Sequence, residues 1–297
     1  MSKLNNVKIT RLALIGVGLI GGSFARGLRA AGLVDTVVGC ARSSETLQQA
    51  LSLNVVDEVE LDPAKAVIGA DLVMIAVPVM SSAQIFSAIC ANLEPNAVIS
   101  DVGSVKVPVI DSARENLGEN ISRFVPGHPI AGTEHSGVAA SFAELFQNKH
   151  VILTPVPDVT DTNAVEKMSA LWRVVGADVL EMDAAEHDRL LAMTSHLPHV
   201  LAYALVQQLA QHARADQLFE LAAAGFYDFT RIASSDPRMW RDICLANKDA
   251  IVDALTDFRG HIDAMLEVIK DNDGERLYKK FQQAKQARDR GMAGKKP

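Results

Sequence analysis

Four groups of side chains in this sequence have types and spacings that could do chemistry. Gly16, Gly18 and Gly21 stand in the run Leu12-Ala13-Leu14-Ile15-Gly16-Val17-Gly18-Leu19-Ile20-Gly21-Gly22-Ser23. Between a strand and a helix, this spacing holds a dinucleotide: the first glycine permits a tight turn, the second lets the backbone approach a pyrophosphate, and the third lets the helix pack on the strand. Leu19 and Ile20 open that helix, where unpaired amides and the positive dipole end meet the phosphates. His128, in Gly127-His128-Pro129, is an imidazole able to take a proton near neutral pH, although spacing alone reads it as a loop histidine bonded to a carbonyl. Arg231 follows Asp228 by three residues, so its planar guanidinium faces either that acid on one helix face or a ligand carboxylate. His196 and His199 are also three apart and flank Pro198, which should free a carbonyl one turn earlier, near Thr194. No third residue at ligand spacing accompanies the two histidines, so no metal site is read from them.

These groups must be held by the elements around them. From Arg11 to about Glu181, short β-branched runs alternate with helix-length segments, as in a parallel sheet built from βαβ units. The candidate strands are 12–15, 37–39, 72–77, 97–100, 123–125, 151–154 and 179–181, and their unbroken apolar character suits burial on both faces. After Met182 the pattern turns helical almost to the end, with breaks near Pro198, Asp236-Pro237 and Asn272 to Gly274. The expected fold class is α/β: an N-terminal Rossmann-like doubly wound sheet over residues 1–182, followed by an all-α domain over residues 183–297.

Leu197, Leu201, Leu205 and Leu209 recur every four residues, and Val200, Ala204 and Val206 widen the stripe until the helix is apolar nearly all round. A second copy of the chain could cover it, which makes a homodimer through the helical domain an expectation. The basic tail after Arg276 reads as a solvated, fraying helix end.

In an open α/β sheet, ligands bind at the carboxyl ends of the strands. Val77 and Pro78 end one candidate strand there; Asp101 and Ser104 follow another. The second strand ends Val38-Gly39-Cys40-Ala41-Arg42-Ser43-Ser44 and lacks the acid that usually bonds the ribose hydroxyls of NAD. Arg42, Ser43 and Ser44 could instead receive a 2′-phosphate, so the residues lean towards NADP, with NAD still open. Ser104 otherwise serves as a helix N-cap before Val105. Lys106 either solvates that helix or meets ligand, and Trp240 is by default a core anchor.

The 297 residues are 48% hydrophobic, enough for a large core. With 36 acidic against 29 basic side chains the net charge is -7, which disfavours nucleic acid as a partner. Three scattered cysteines read as reduced thiols, and no apolar run is long enough to cross a bilayer. A cytoplasmic protein without a membrane anchor is expected.

The glycine run, Asp101-Val102-Gly103-Ser104-Val105-Lys106, Gly127-His128-Pro129-Ile130-Ala131-Gly132, Ser195-His196-Leu197-Pro198-His199, Asp228-Phe229-Thr230-Arg231 and Asp236-Pro237-Arg238-Met239-Trp240-Arg241 together resemble the prephenate and arogenate (cyclohexadienyl) dehydrogenases, in matching order from Arg11 to about Lys280. The resemblance implies an enzyme of tyrosine biosynthesis. It would oxidise the C4 carbinol of a cyclohexadiene by hydride transfer to NAD(P)+ while the ring carboxylate leaves as carbon dioxide. It further implies His128 as the base at the C4 hydroxyl and Ser104 bonded to that hydroxyl. Arg231 would take the ring carboxylate, with Asp228 as its exchange partner, and His196, His199 and Trp240 would line the pocket. Prephenate and arogenate differ in a keto against an amino side chain, and no residue here decides between them. The rival readings are another two-domain hydroxyacid or imine reductase, whose base is commonly a lysine, and a dinucleotide-sensing regulator without turnover.

Overall fold

The computed structural model describes residues 7–133 and 135–293, which fall into two compact units, Met1–Lys248 and Asp249–Pro297. In the first unit, β1 (Ile9–Ile15), β2 (Val34–Cys40), β3 (Glu58–Glu60), β4 (Leu72–Ile75), β5 (Val98–Asp101) and β6 (Phe124–Val125) form one parallel sheet in the order β3-β2-β1-β4-β5-β6. Successive side chains of a strand point to opposite faces. Leu12, Leu14, Val37, Leu72 and Met74 therefore join Phe24, Leu28 and Trp172 on one side, while Ala13, Ile15, Val38, Val73 and Ile75 join Phe86 and Ile110 on the other. With helices covering both faces, the strands carry no polar alternation, and their carboxyl ends lie side by side along one edge.

A second sheet holds β7 (Gly127–Pro129), β8 (His150–Leu153) and β9 (Asp178–Glu181), with β7 antiparallel and β9 parallel to β8. Between β6 and β7 the chain changes sheets at Pro126, whose carbonyl accepts from the Thr154 amide. Two strands were not foreseen. β3 is three residues with glutamate at both ends, and β7 is Gly-His-Pro, compositions that strands ordinarily avoid. The strand expected over 72–77 stops at Ile75.

The chain becomes helical from Ala184, but the helices up to Lys248 belong to the same compact unit as the two sheets. Pro198 does not break its helix. A π-helical turn, Ala192–His196, absorbs the missing amide between the helices Ala184–Leu191 and Leu197–Ala210. At the expected break before Pro237, Asp236 caps the helix Pro237–Ala246 by accepting from the amides of Arg238 and Met239.

The second unit comprises the rest of the helix Lys248–Lys270 and the helix Gly274–Met292. They turn at Asn272, φ 53°, and Asp273 caps the last helix through the Arg276 amide. That helix buries no residue and runs to Met292; Lys295 and Lys296 lie outside the described residues. Among the described residues, no helix is long and apolar enough to cross a membrane.

Candidate active site

Along the carboxyl edge, Arg42 follows β2, the glycine turn follows β1, Val77 and Pro78 follow β4, and Ser104 follows β5. Gly16 has φ +98°, and a Cβ there would meet the Ala76 carbonyl oxygen at 2.2 Å. At Gly21 a Cβ would meet the Gly16 carbonyl oxygen at 2.6 Å and a Leu14 methyl at 2.9 Å, so the helix approaches the strand this closely because position 21 has no side chain. At Gly18 a Cβ would meet nothing within 4 Å: the bare backbone faces open space. Gly18 also starts the helix Leu19–Ala30 with no side chain capping its amides. A cradle with these properties fits a pyrophosphate. Leu19, Ile20 and Val77 are half-buried beside it, and Pro78 is exposed. Ser43 accepts from the Thr46 amide at 3.3 Å as the N-cap of the next helix, while Arg42 and Ser44 are exposed.

Asp101 is the last residue of β5. Its carboxylate is 2% exposed and accepts from Lys106 Nζ at 2.5 Å, from the Gly103 amide at 2.7 Å and from the Gly127 amide at 3.0 Å. It ties β5 to β7 through these bonds. Lys106, read from sequence as solvated or ligand-facing, is fully buried, and its Nζ also donates to the Gly127 carbonyl at 2.6 Å. Burial lowers the affinity of Lys106 for its proton, and the charges of Asp101 and Asp188 work against that loss. Ser104 is half-buried and caps no helix. The helix Val107–Asn116 starts instead on Asp188, whose carboxylate accepts from the amides of Lys106 at 2.8 Å and Val107 at 2.9 Å.

His128 sits within β7, not in a loop, and pairs across to Ile152 on β8. Its Nδ1 lies 2.9 Å from Nε2 of His187, and Nδ1 of His187 lies 2.7 Å from Oδ1 of Asp188. Burial is the main cause that holds His128 well below the ordinary imidazole pKa, and the charges of His187, Lys106 and His196 push the same way. It is therefore a neutral imidazole at physiological pH, the form that accepts a proton.

His196 lies at the end of the π turn, 1% exposed, with Nδ1 3.1 Å from Asn247 Nδ2 and with Nε2 buried and unpartnered among the described residues. Burial pulls its pKa to about 4, with Asp188 opposing. His199 Nδ1 donates to the Ser195 carbonyl at 2.9 Å, close to the freed carbonyl expected from Pro198, and its ring stacks on Trp240 at 3.7 Å and 18°. Trp240 packs with Val105 and Ile243, so the anchor role holds, and its place is between the two histidines. Burial lowers the pKa of His199, its Ser195 hydrogen bond opposes this, and the charge of Arg231 lowers it further, which puts that guanidinium within electrostatic reach. Arg231 opens a 3₁₀ turn directly after the helix Ala224–Thr230, which carries Asp228 on its exposed side. Among the described residues no cluster could hold a metal ion.

Two family models match nearly end to end: the prephenate dehydrogenase nucleotide-binding domain over residues 24–181 and the prephenate dehydrogenase dimerization domain over residues 183–283. The chain belongs to the prephenate dehydrogenase family. It is 39% identical to a cyclohexadienyl dehydrogenase of Zymomonas mobilis over 93% of this chain and 94% of the relative, and 39% identical to a prephenate dehydrogenase of Bacillus subtilis over 96% and 77%. A crystal structure of prephenate dehydrogenase from A. aeolicus in complex with hydroxyphenyl propionate and NAD+ superposes with TM-score 0.89 at 37% identity, covering 95% and 98% of the two chains. Like these relatives, this member of the family is an NAD(P)-dependent oxidoreductase with a Rossmann-like sheet and a helical C-terminal domain.

Three residues of this dehydrogenase were missed from sequence: His187, Asp188 and Asn247. His187 and Asp188 stand in Glu186-His187-Asp188-Arg189, a polar stretch that hydrophobic patterning assigns to solvent. Both are buried, because the helix Ala184–Leu191 turns that stretch towards β7 and the start of the helix Val107–Asn116.

Proposed function

We propose that this chain catalyses the oxidative decarboxylation of prephenate, arogenate or both, with His128 as the base. The observation that carries this reading is the buried, neutral His128 on β7, which Gly127 ties to the end of β5, on the same carboxyl edge where the glycine cradle follows β1. Bound NAD(P)+ supplies the hydride acceptor. With Nδ1 engaged by His187, Nε2 of His128 remains to take the C4 hydroxyl proton as hydride leaves that carbon. Loss of the ring carboxylate as carbon dioxide then aromatises the ring. The bond electrons end on the C4 oxygen, which takes the proton back, so the imidazole is restored each cycle.

Ser104, at the end of β5, would bond the C4 hydroxyl, and Arg231 would hold the ring carboxylate as a fork of donors. His196, His199 and Trp240 would line the pocket between them, with Asp228 as the exchange partner of Arg231.

For the nucleotide, Arg42 and Ser44 favour a 2′-phosphate. Against it, Glu60 pairs in register with Cys40, and burial first, then the charges of Asp62 and Glu60, push the Cys40 thiol up to about 11, so two carboxylates stand near that strand end. The reading is use of both NAD and NADP, with Arg42 carrying the NADP share. Leu197 and Ala202 are the buried residues of the helix Leu197–Ala210, and Leu221 and Leu245 are exposed, which supports a homodimer through the helical domain with limits near 1–182 and 183–297. Free cysteines accord with a cytoplasmic setting. The test is direct: purified protein, each substrate with each nucleotide, and absorbance of the reduced nicotinamide. No reduction with any pairing overturns the reading.

A further inference from the structure

Asp188 touches both site imidazoles through intermediaries, by two chemically different routes. Its carboxylate accepts two backbone amides, Lys106 on Oδ1 and Val107 on Oδ2, which can only donate, so both oxygens act as acceptors. His187 Nδ1, 2.7 Å away, must then carry a proton. A single ring proton at Nδ1 leaves His187 a lone pair on Nε2, so the 2.9 Å contact to His128 places the donor hydrogen on His128 Nδ1. His128 keeps its lone pair on Nε2.

The second route runs through the Asp188 backbone. The carbonyl of Asp188 accepts from Asn247 Nδ2 at 2.8 Å, which fixes the orientation of that amide. The other proton of the same nitrogen faces His196 Nδ1 at 3.1 Å, so Nδ1 is an acceptor and the ring proton sits on Nε2. His196 is thereby a buried donor and His128 a buried acceptor.

We propose that Asp188 is the positioning residue that sets His128 and His196 in opposite tautomers: through His187 it prepares an acceptor for the substrate hydroxyl, and through Asn247 a donor for a substrate oxygen. This rests on His128 as the base, and it assigns roles to His187, Asp188 and Asn247 that packing alone does not require. An acceptor carboxylate behind an imidazole works the same way in hydrolytic triads, where its amide replacement spoils the tautomer and not the fold.

The first test uses the intact wild-type chain with ¹⁵N-labelled histidine at pH 8, signals being assigned with His128→Asn and His196→Asn. Expected are a protonated Nδ1 and pyridine-type Nε2 for His128, and the reverse for His196; any other pairing overturns the proposal. It reads nuclei, not turnover, so it stands apart from the question of whether His128 is the base, which the loss of turnover in His128→Asn answers. The second test compares His187→Gln with His187→Leu. Gln keeps a donor for Asp188 and an acceptor for His128, and Leu keeps volume only. The expected kcat is within about tenfold of wild type for Gln and lower by about 10²- to 10⁴-fold for Leu, with KM little changed. Equal kcat in the two variants overturns the relay. In Asp188→Asn the His128 signals should move while those of His196 stay, because only the carboxylate route is changed; joint movement overturns the two-route assignment.

Discussion

Lys106 Nζ lies 2.5 Å from Oδ2 of Asp101, with both side chains buried. A buried pair of this kind is costly to break from one side, because the remaining charge keeps its desolvation penalty without its partner. Here the pair also joins the end of β5 to the first residue of β7, and so sets where His128 begins.

Lys106→Met should therefore destabilise the chain by about 3–5 kcal/mol, measured by urea unfolding. The double variant Lys106→Met/Asp101→Asn should recover part of that loss. No recovery would mean that Lys106 acts through packing and not through charge.

His128→Asn should lower kcat by about 10²- to 10⁴-fold with KM for the dienol substrate nearly unchanged, as expected when a base is lost and binding is not. Because the pKa of His128 is depressed, the acid limb of the kcat/KM profile should lie below pH 6.5. A limb above that value would contradict the neutral, buried imidazole.

Arg231→Ala should raise KM and leave kcat less affected. A charged hydrogen bond is worth about 1.5–3 kcal/mol, so a rise of roughly 10- to 10²-fold is expected in steady-state kinetics. An unchanged KM removes Arg231 from substrate binding.

Two of the three cradle glycines should separate cleanly. Gly16→Ala places a Cβ 2.2 Å from the Ala76 carbonyl oxygen at a φ of +98°, so folding itself should suffer. At Gly18 a Cβ meets no protein atom within 4 Å, so Gly18→Ala should keep its Tm and lose nucleotide affinity by fluorescence titration. Wild-type affinity in Gly18→Ala would move the pyrophosphate elsewhere.

Stability should fall in acid through His196. Its folded pKa is about 4 against 6.5 when unfolded, so between these values the unfolded chain binds a proton that the folded chain does not. Stability is thus full above pH 6.5 and declines towards pH 4, by at most about 1.4 kcal/mol per pH unit from this group. His196→Gln should show a shallower decline in urea midpoints between pH 7 and 5. An identical slope would exclude His196 as a source.

Local pattern was enough for much of this molecule. The glycine run, the continuous apolar strands and the change to helical periodicity after Met182 are written in neighbouring residues, because a tight turn, a strand buried on both faces and an amphipathic helix each constrain residues a few positions apart. The motifs around Ser104, His128, His196, Arg231 and Trp240 pointed to the family for the same reason. What neighbours could not decide is which polar side chains are drawn inside. Lys106, His187 and Asp188 look like solvated residues until β7 crosses to the second sheet and the helix Ala184–Leu191 is laid against it. Their burial is a balance between desolvation and the partners the fold supplies: Asp101 and Gly127 for Lys106, His128 for His187, and the amides of Lys106 and Val107 for the Asp188 carboxylate. Asp101 shows the converse, an acid in a ligand-facing segment that the fold spends on its own framework. Sequence determined which groups could do the chemistry, and tertiary structure decided which of them are buried and which partners each one meets, because burial and contact depend on residues far apart in the chain.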